Sequence, residues 1–240
     1  MDALTAARQT AATTGSVPAL FMMDGETYRC GGEIGFQGID FYFAGRGGVL
    51  GDVSGAVVAA ALVYFEPSAV VAAWDRGRVV STPARAAEAF ASCAADWALA
   101  HLPDGVDYGR LAELEGKVVS AASAAGAPLF AGWRELEEPE DPKALALHRL
   151  NALRELRGAL HAGAVLAQGL GPLQALSVRT PFMAQVFGWG DTELPDPEPH
   201  KAAWERAEEG TDRAMARHLA VLDDAEGAQF VELCSAVKPS

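Results

Sequence analysis

Acidic and histidine side chains with the chemistry of proton transfer concentrate between Asp141 and Gly169. Helical spacing places a row of leucines on one side of this stretch and His148, Glu155 and His161 on the other side. Carboxylates and imidazoles are the groups that proteins commonly use as general acids and bases. The stretch therefore predicts a site of proton transfer, with His148, Glu155 and His161 as the candidate catalytic residues.

Two arginines of the same stretch, Arg149 and Arg157, lie on or beside the leucine stripe. A guanidinium near a protein core needs a carboxylate or a bound anion, because an unpaired buried charge is costly. Arg46, in the segment FYFAGRGGVLG, is a further candidate, and we expect these arginines to hold an anionic group of a small molecule. The same pattern is also typical of the solvated face of an amphipathic helix.

Three more residues complete the predicted substrate-binding set. Glu26 lies in a glycine-rich region, Tyr64 lies at a bend before Glu66-Pro67, and Trp133 lies in the segment GAPLFAGWRELEEPEDP. The histidines and cysteines lack the spacing of metal ligands, and the chain has no phosphate-binding glycine loop and no nucleophile elbow. We therefore predict neither a metal nor a tightly bound organic cofactor.

The elements that must position these residues are predicted to be helices, in a mainly α fold with one compact multi-helix domain over residues 1–240. A central helix is expected over 141–169, because Asp141 is a good N-cap and Gly169 is a common stop signal. Residues 16–51 are predicted to form a long glycine-rich loop region, and residues 188–200 a proline-rich connector. Strands are allowed only at two short segments, 37–44 and 78–81.

The overall composition limits the partners. The net charge is −13, which predicts no attraction to nucleic acid or to an anionic membrane. Three cysteines, far apart and odd in number, argue against a disulfide framework, and with no signal peptide they indicate the cytoplasm. The expected partner is a small-molecule substrate, and a homo- or hetero-oligomer is left open.

Four segments of the chain resemble an actinobacterial family labelled "evolutionarily conserved helix-turn-helix protein". The segments are FYFAGRGGVLG, ALVYFEPSAVVAAW, PLFAGWREL and LHRLNALRELRGALH. The positions that match the family pattern are Arg46, Leu50, Gly51, Tyr64, Phe65, Pro67, Trp74, His148, Arg154, Glu155, Arg157, Gly158 and His161. The resemblance extends to about Leu176, and it implies a helical protein with a DNA-reading part.

This chain departs from the family pattern near its C-terminal end. Family members carry a winged-helix segment before the tail, whereas here only the stretch from Phe187 to His200 separates the neighbouring helices. A recognition helix with a wing needs a longer stretch of chain. We therefore expect the winged-helix segment to be missing.

A polar cluster without the DNA-reading part predicts a cofactor-independent tailoring enzyme of specialised metabolism. In one reaction of this kind, a base removes a proton from an amine, which displaces an anionic leaving group to close a ring. Aziridine formation with loss of sulfate is an example, and orientation with electrostatics supplies the rate enhancement. Two alternatives remain, a non-catalytic small-molecule-binding protein or complex subunit, and a degenerate regulator that keeps its ligand-binding half.

Overall fold

The computed structural model describes residues 1–190 and 192–237, and within these residues the protein is helical, without strands. This confirms the predicted fold class of one compact multi-helix domain. The helices are α1 (Ala3–Met23), α2 (Gly25–Glu33), α3 (Asp40–Gly47), α4 (Gly55–Ala61), α5 (Pro67–Val80), α6 (Pro83–His101), α7 (Tyr108–Ala121), α8 (Pro128–Trp133), α9 (Pro142–Ala167), α10 (Pro172–Arg179), α11 (Lys201–Leu219) and α12 (Asp224–Ala236).

Helix α9 is the predicted central helix, and five other helices pack against it. At its start the Asp141 carboxylate accepts hydrogen bonds from the backbone N–H groups of Lys143 and Ala144. After its end Gly169 has φ +76°, a conformation that favours glycine and ends helices. Helices α1, α6, α7, α8 and α11 all contact α9, so this helix positions every side chain that projects from it.

The glycine-rich region 16–51 is not the predicted loop region. Helix α1 continues through Gly15 as far as Met23, and α2 and α3 follow it. Some of its glycines serve close helix packing instead, because a Cβ atom on Gly45 would lie 2.5 Å from the Phe90 side chain. The buried aromatic contacts formed this way outweigh the low helix propensity of glycine.

The prediction of possible strands at 37–44 and 78–81 is wrong, because both segments contribute residues to helices. Residues 40–44 belong to α3, and residues 78–80 are the last residues of α5. The predicted bend at Glu66-Pro67 is confirmed, because it separates α4 from α5. The Glu66 carboxylate caps α5 by accepting a hydrogen bond from the backbone N–H of Ala69. The connector 188–200 is coil that ends in a 3-10 turn at 198–200, and residue 191 lies outside the described residues.

A disulfide joins Cys30 of α2 to Cys93 of α6, which contradicts the expectation that the cysteines are reduced. The two residues are 63 apart in the sequence and meet because α2 packs against α6. Only the fold could reveal this proximity, since their sequence spacing matches no familiar disulfide pattern. Cys234 is a free thiol buried in α12.

Among residues 1–190 and 192–237, no helix combines the length and the apolar character that are needed to cross a lipid bilayer.

Candidate functional site

A cavity of about 220 Å³ lies beside the central helix. Helix α9 forms one wall, and parts of α1, α3, α8 and the link between α4 and α5 form the others. Five of the nine residues predicted from the sequence line this cavity: Arg46, Tyr64, Glu155, Arg157 and His161. Residues that are distant in the sequence thus line one cavity next to α9.

Arg149 lies away from the cavity. Its Nε and Nη2 atoms donate hydrogen bonds of 2.7 and 2.6 Å to the Glu138 carboxylate, and its Nη1 donates to the carbonyl of Ala112. The anionic partner that this arginine was expected to need is therefore a side chain of the protein itself. The prediction that Arg149 lies in the substrate-binding set is corrected accordingly.

His148, Trp133 and Glu26 are also outside the cavity lining. His148 and Trp133 are buried and pack against each other, with ring centroids 6.1 Å apart. Glu26 lies on the surface of α2, with a carboxylate oxygen 3.7 Å from Nε2 of His101. Packing against α8 turns the His148 ring away from the cavity, although it shares a helix with the residues that line it.

The cationic part of the cavity is built around Glu155. Arg46 Nε and Nη2 donate to its two carboxylate oxygens, both at 2.8 Å, and Arg154 Nη1 donates to one of them at 3.0 Å. Tyr42 precedes Arg46 by four residues in α3, so the two side chains share a face, and its hydroxyl accepts a hydrogen bond from Arg46 Nη1. Three hydrogen bonds to two side chains, Glu155 and Tyr42, therefore fix the Arg46 guanidinium.

The pKa of Glu155 reflects two opposing effects. Burial alone would raise it, but the attraction of Arg46 and Arg154 outweighs burial and lowers the pKa below its ordinary value. Glu155 is consequently ionised at neutral pH, and its two oxygens already accept three hydrogen bonds. This arrangement suits a residue that positions arginines better than it suits the predicted proton acceptor.

His161 presents an unprotonated ring nitrogen. Thr211 donates its only hydroxyl proton to the carbonyl of Ala207, so at His161 Nδ1, 3.0 Å away, it can only accept. The neutral ring therefore carries its proton on Nδ1 and leaves Nε2 as an acceptor. Burial lowers the pKa of His161, and its Nε2 is 3.9 Å from Oε1 of Glu208, beyond hydrogen-bond distance. His161 is thus held in the form that a general base requires.

Tyr64 and Arg157 contribute polar atoms that lack a partner. The Tyr64 hydroxyl and the Arg157 Nε are buried and form no hydrogen bond within residues 1–190 and 192–237. Burial raises the pKa of Tyr64, so its hydroxyl stays protonated and can donate. Arg157 Nη2 donates to Glu208 at 3.0 Å. Because an unpaired buried polar group is costly, these two atoms indicate the place of a bound polar molecule.

The wall of the cavity is positively charged, although the protein as a whole is acidic. Three arginines and one glutamate line it, while Glu208, which balances Arg157, lies outside the lining. Arg154 and Tyr42 were not identified as site residues from the sequence. The spacing of four between Tyr42 and Arg46 would have indicated a shared face, had this segment been assigned as a helix.

The comparisons with known proteins identify a family. A family model described as a helix-turn-helix family matches residues 7–239. The search of curated proteins and the search of solved structures gave no match. The match contradicts the prediction that nucleic acid is not a partner, because the helix-turn-helix is a motif that places a helix in the DNA major groove.

Proposed function

This chain belongs to the helix-turn-helix family, and within that family we propose that it is an enzyme without a cofactor that acts on an anionic, amine-bearing small molecule. The observation that carries the proposal is the cavity in which His161 offers a free Nε2 beside a wall of arginines. A proton acceptor and an anion-binding group in one enclosed site are the two parts that displacement of an anionic leaving group by an amine requires.

The reaction that best uses these parts is an intramolecular ring closure with loss of sulfate, as in aziridine formation. The amine attacks the carbon that carries the sulfate, and the C–N bond forms as the C–O bond breaks. Sulfate leaves with the electron pair, and Nε2 of His161 accepts the proton that the nitrogen loses. The guanidinium of Arg154, of which Glu155 engages one N–H group, and the Nε of Arg157 stabilise the charge on the leaving oxygen.

The finer features predicted from the sequence belong to the same proposal. The chain is an actinobacterial family member without the winged-helix segment, and it acts in the specialised metabolism of antibiotic biosynthesis. The proposed location is the cytoplasm, where the disulfide between Cys30 and Cys93 would be an exception to the usual state of cysteines.

Replacing His161 by glutamine tests whether His161 is the base of the proposed reaction. The probe is 2-aminoethyl sulfate, and the measurement is the release of sulfate by ion chromatography with the ring product by mass spectrometry. We expect release by the wild type and at least about a hundredfold slower release by His161→Gln, because glutamine keeps a polar side chain but no basic nitrogen. His218→Gln is the matched control, because His218 lies on α11 outside the cavity lining.

The pH dependence follows from the lowered pKa of His161. Protonation removes the acceptor, so kcat/KM rises with pH and levels off, with a midpoint below the ordinary histidine value of about 6.5.

Two outcomes would contradict the proposed enzyme. Binding of 2-aminoethyl sulfate without turnover would favour a non-catalytic binding protein. Release of sulfate at equal rates by wild type and His161→Gln would reject the assigned base.

The family match favours a second function, a regulator that binds nucleic acid and senses a small molecule in the same cavity. A pool of duplex DNA with a randomised centre, selected on the protein, tests it. We expect an enriched sequence whose affinity changes when 2-aminoethyl sulfate occupies the cavity, because a ligand that prefers one state shifts the equilibrium. Binding of the pool without enrichment of any sequence, and only at low salt, would contradict this function.

A further inference from the structure

Two glycines of the cavity wall, Gly15 and Gly158, lie inside helices without a packing reason for being glycine. Gly15 is in α1 and Gly158 is in α9. Glycine inside a helix is less favourable than alanine. A Cβ atom built on either residue meets no other heavy atom within 4 Å. The protein itself would therefore accommodate a side chain at both positions.

Some other helical glycines of this protein differ in this respect. A Cβ atom on Gly31 would lie 2.5 Å from the Phe41 ring, and one on Gly116 would lie 2.5 Å from the Arg149 guanidinium. Helix packing explains these residues. It does not explain five helical glycines around which a Cβ atom meets open space: Gly15, Gly25, Gly32, Gly158 and Gly163. Of these five, Gly15 and Gly158 are the two that line the cavity.

The position of Gly158 in α9 connects the two ends of the site. Arg154, Gly158 and His161 follow one another at spacings of four and three, so they share one face of the helix. A ligand that reaches from the Arg154 guanidinium to the His161 ring must cross the helix surface at Gly158. A side chain there would stand between the anion-binding group and the proton acceptor.

The volume of the cavity indicates that a larger ligand would extend beyond it. At about 220 Å³ it is smaller than the roughly 300 to 1,000 Å³ of pockets that enclose a drug-sized molecule. A ligand of that size would fill the cavity with its charged part and extend beyond it. Gly15 and Gly158 are exposed positions of the lining with open space above them, so they offer the extension a path out of the cavity.

We propose that Gly15 and Gly158 determine the size of ligand that the site accepts, by leaving room at the mouth of the cavity for the uncharged remainder of an anionic molecule. This rests on the proposed function, because it assumes an anion held at the arginine wall. The ligand class it names is an anionic head group, such as a sulfate ester, joined to a body larger than the cavity.

The test compares two probes on three variants. The probes are 2-aminoethyl sulfate and its bulkier N-benzyl derivative, and dissociation constants are measured by calorimetry. We expect Gly15→Leu to weaken binding of the N-benzyl probe at least tenfold and to change binding of the small probe less than twofold. Gly158→Leu places a side chain between Arg154 and His161, so it should weaken binding of both probes at least tenfold. Gly163→Leu is the matched control, since Gly163 is also an exposed glycine of α9 with open space around it but does not line the cavity.

Alanine variants test whether positions 158 and 163 tolerate a side chain without loss of stability. Gly158→Ala and Gly163→Ala are both expected to raise the melting temperature by about 2 to 4 °C, because alanine is the better helix former. Unchanged binding of the N-benzyl probe by Gly15→Leu and Gly158→Leu would overturn the proposal. Failure of the wild type to bind either probe would reject it together with the proposed function. Size-selective binding without sulfate release would reject the enzyme alone and support the size selection.

Discussion

Arg46→Leu is expected to lower the free energy of unfolding by about 3 to 5 kcal/mol, because it leaves the buried carboxylate of Glu155 without its main partner. The Glu155 side chain is 1% exposed and that of Arg46 is 11% exposed, so water cannot replace the lost hydrogen bonds. Arg154 remains beside Glu155, at 3.0 Å, which favours the lower part of this range. Denaturation by urea at pH 7 measures the loss.

The loss is also expected to depend on pH. The pKa of Glu155 is lower in the folded wild type than in the unfolded chain, so its ionisation stabilises the fold above the unfolded pKa of about 4.3 and ceases to do so as the pH falls. Arg46→Leu removes most of this contribution at pH 7. The difference in stability between wild type and variant should therefore shrink when both are measured at pH 4.

A second ion pair with the same geometry provides the control. Arg149 also forms two parallel hydrogen bonds with a carboxylate, but the side chain of its partner Glu138 is 42% exposed. Water can hydrate Glu138 when the arginine is removed, so Arg149→Leu should cost about 1 kcal/mol or less. Equal losses for Arg46→Leu and Arg149→Leu would show that burial of Glu155 does not determine the effect. The double variant Arg46→Leu/Glu155→Leu should recover part of the loss, because it leaves no buried charge.

The parts of the fold that could be predicted from the sequence are those with local causes. Helix α9 is the clearest case, because Asp141 caps its first turn and Gly169 adopts the positive φ that ends it. Each of these signals depends only on residues a few positions away. Alternation between leucines and polar residues predicted only one buried side of α9, whereas the fold buries the polar side as well, including His148, Glu155 and His161.

The region 16–51 could not be predicted in the same way, because distant residues determine its structure. Gly45 and Gly31 weaken a helix when only local propensity is considered. In the fold they allow Phe90 and Phe41 to approach the helix backbone closely, and the packing gained this way decides the conformation. The sequence shows the glycines but does not show which aromatic ring will lie against each one.

The same limit applies to the site. That Arg149 would need an anionic partner followed from its place on the leucine stripe, but the choice between Glu138 and a ligand depended on the path of the chain before α9. The tautomer of His161 depends on Thr211, fifty residues away, and on the carbonyl to which that hydroxyl donates. Helix packing determines which residue each candidate side chain contacts. Residue types and spacing therefore identified candidate side chains but not their roles.

Removing the disulfide with the double substitution Cys30→Ser/Cys93→Ser is expected to lower the free energy of unfolding by about 4 kcal/mol, because the bond closes a loop of 63 residues and so restricts the unfolded chain. Guanidinium denaturation of the variant, and of the wild type with and without dithiothreitol, measures the effect. The reduced wild type should match the variant, since both have lost the same covalent constraint. Helices α1 and α3 flank α2 along the chain and line the cavity, so a weakened attachment of α2 should also weaken binding of 2-aminoethyl sulfate. Equal stability of the oxidised and reduced wild type would contradict a structural role for the Cys30–Cys93 bond.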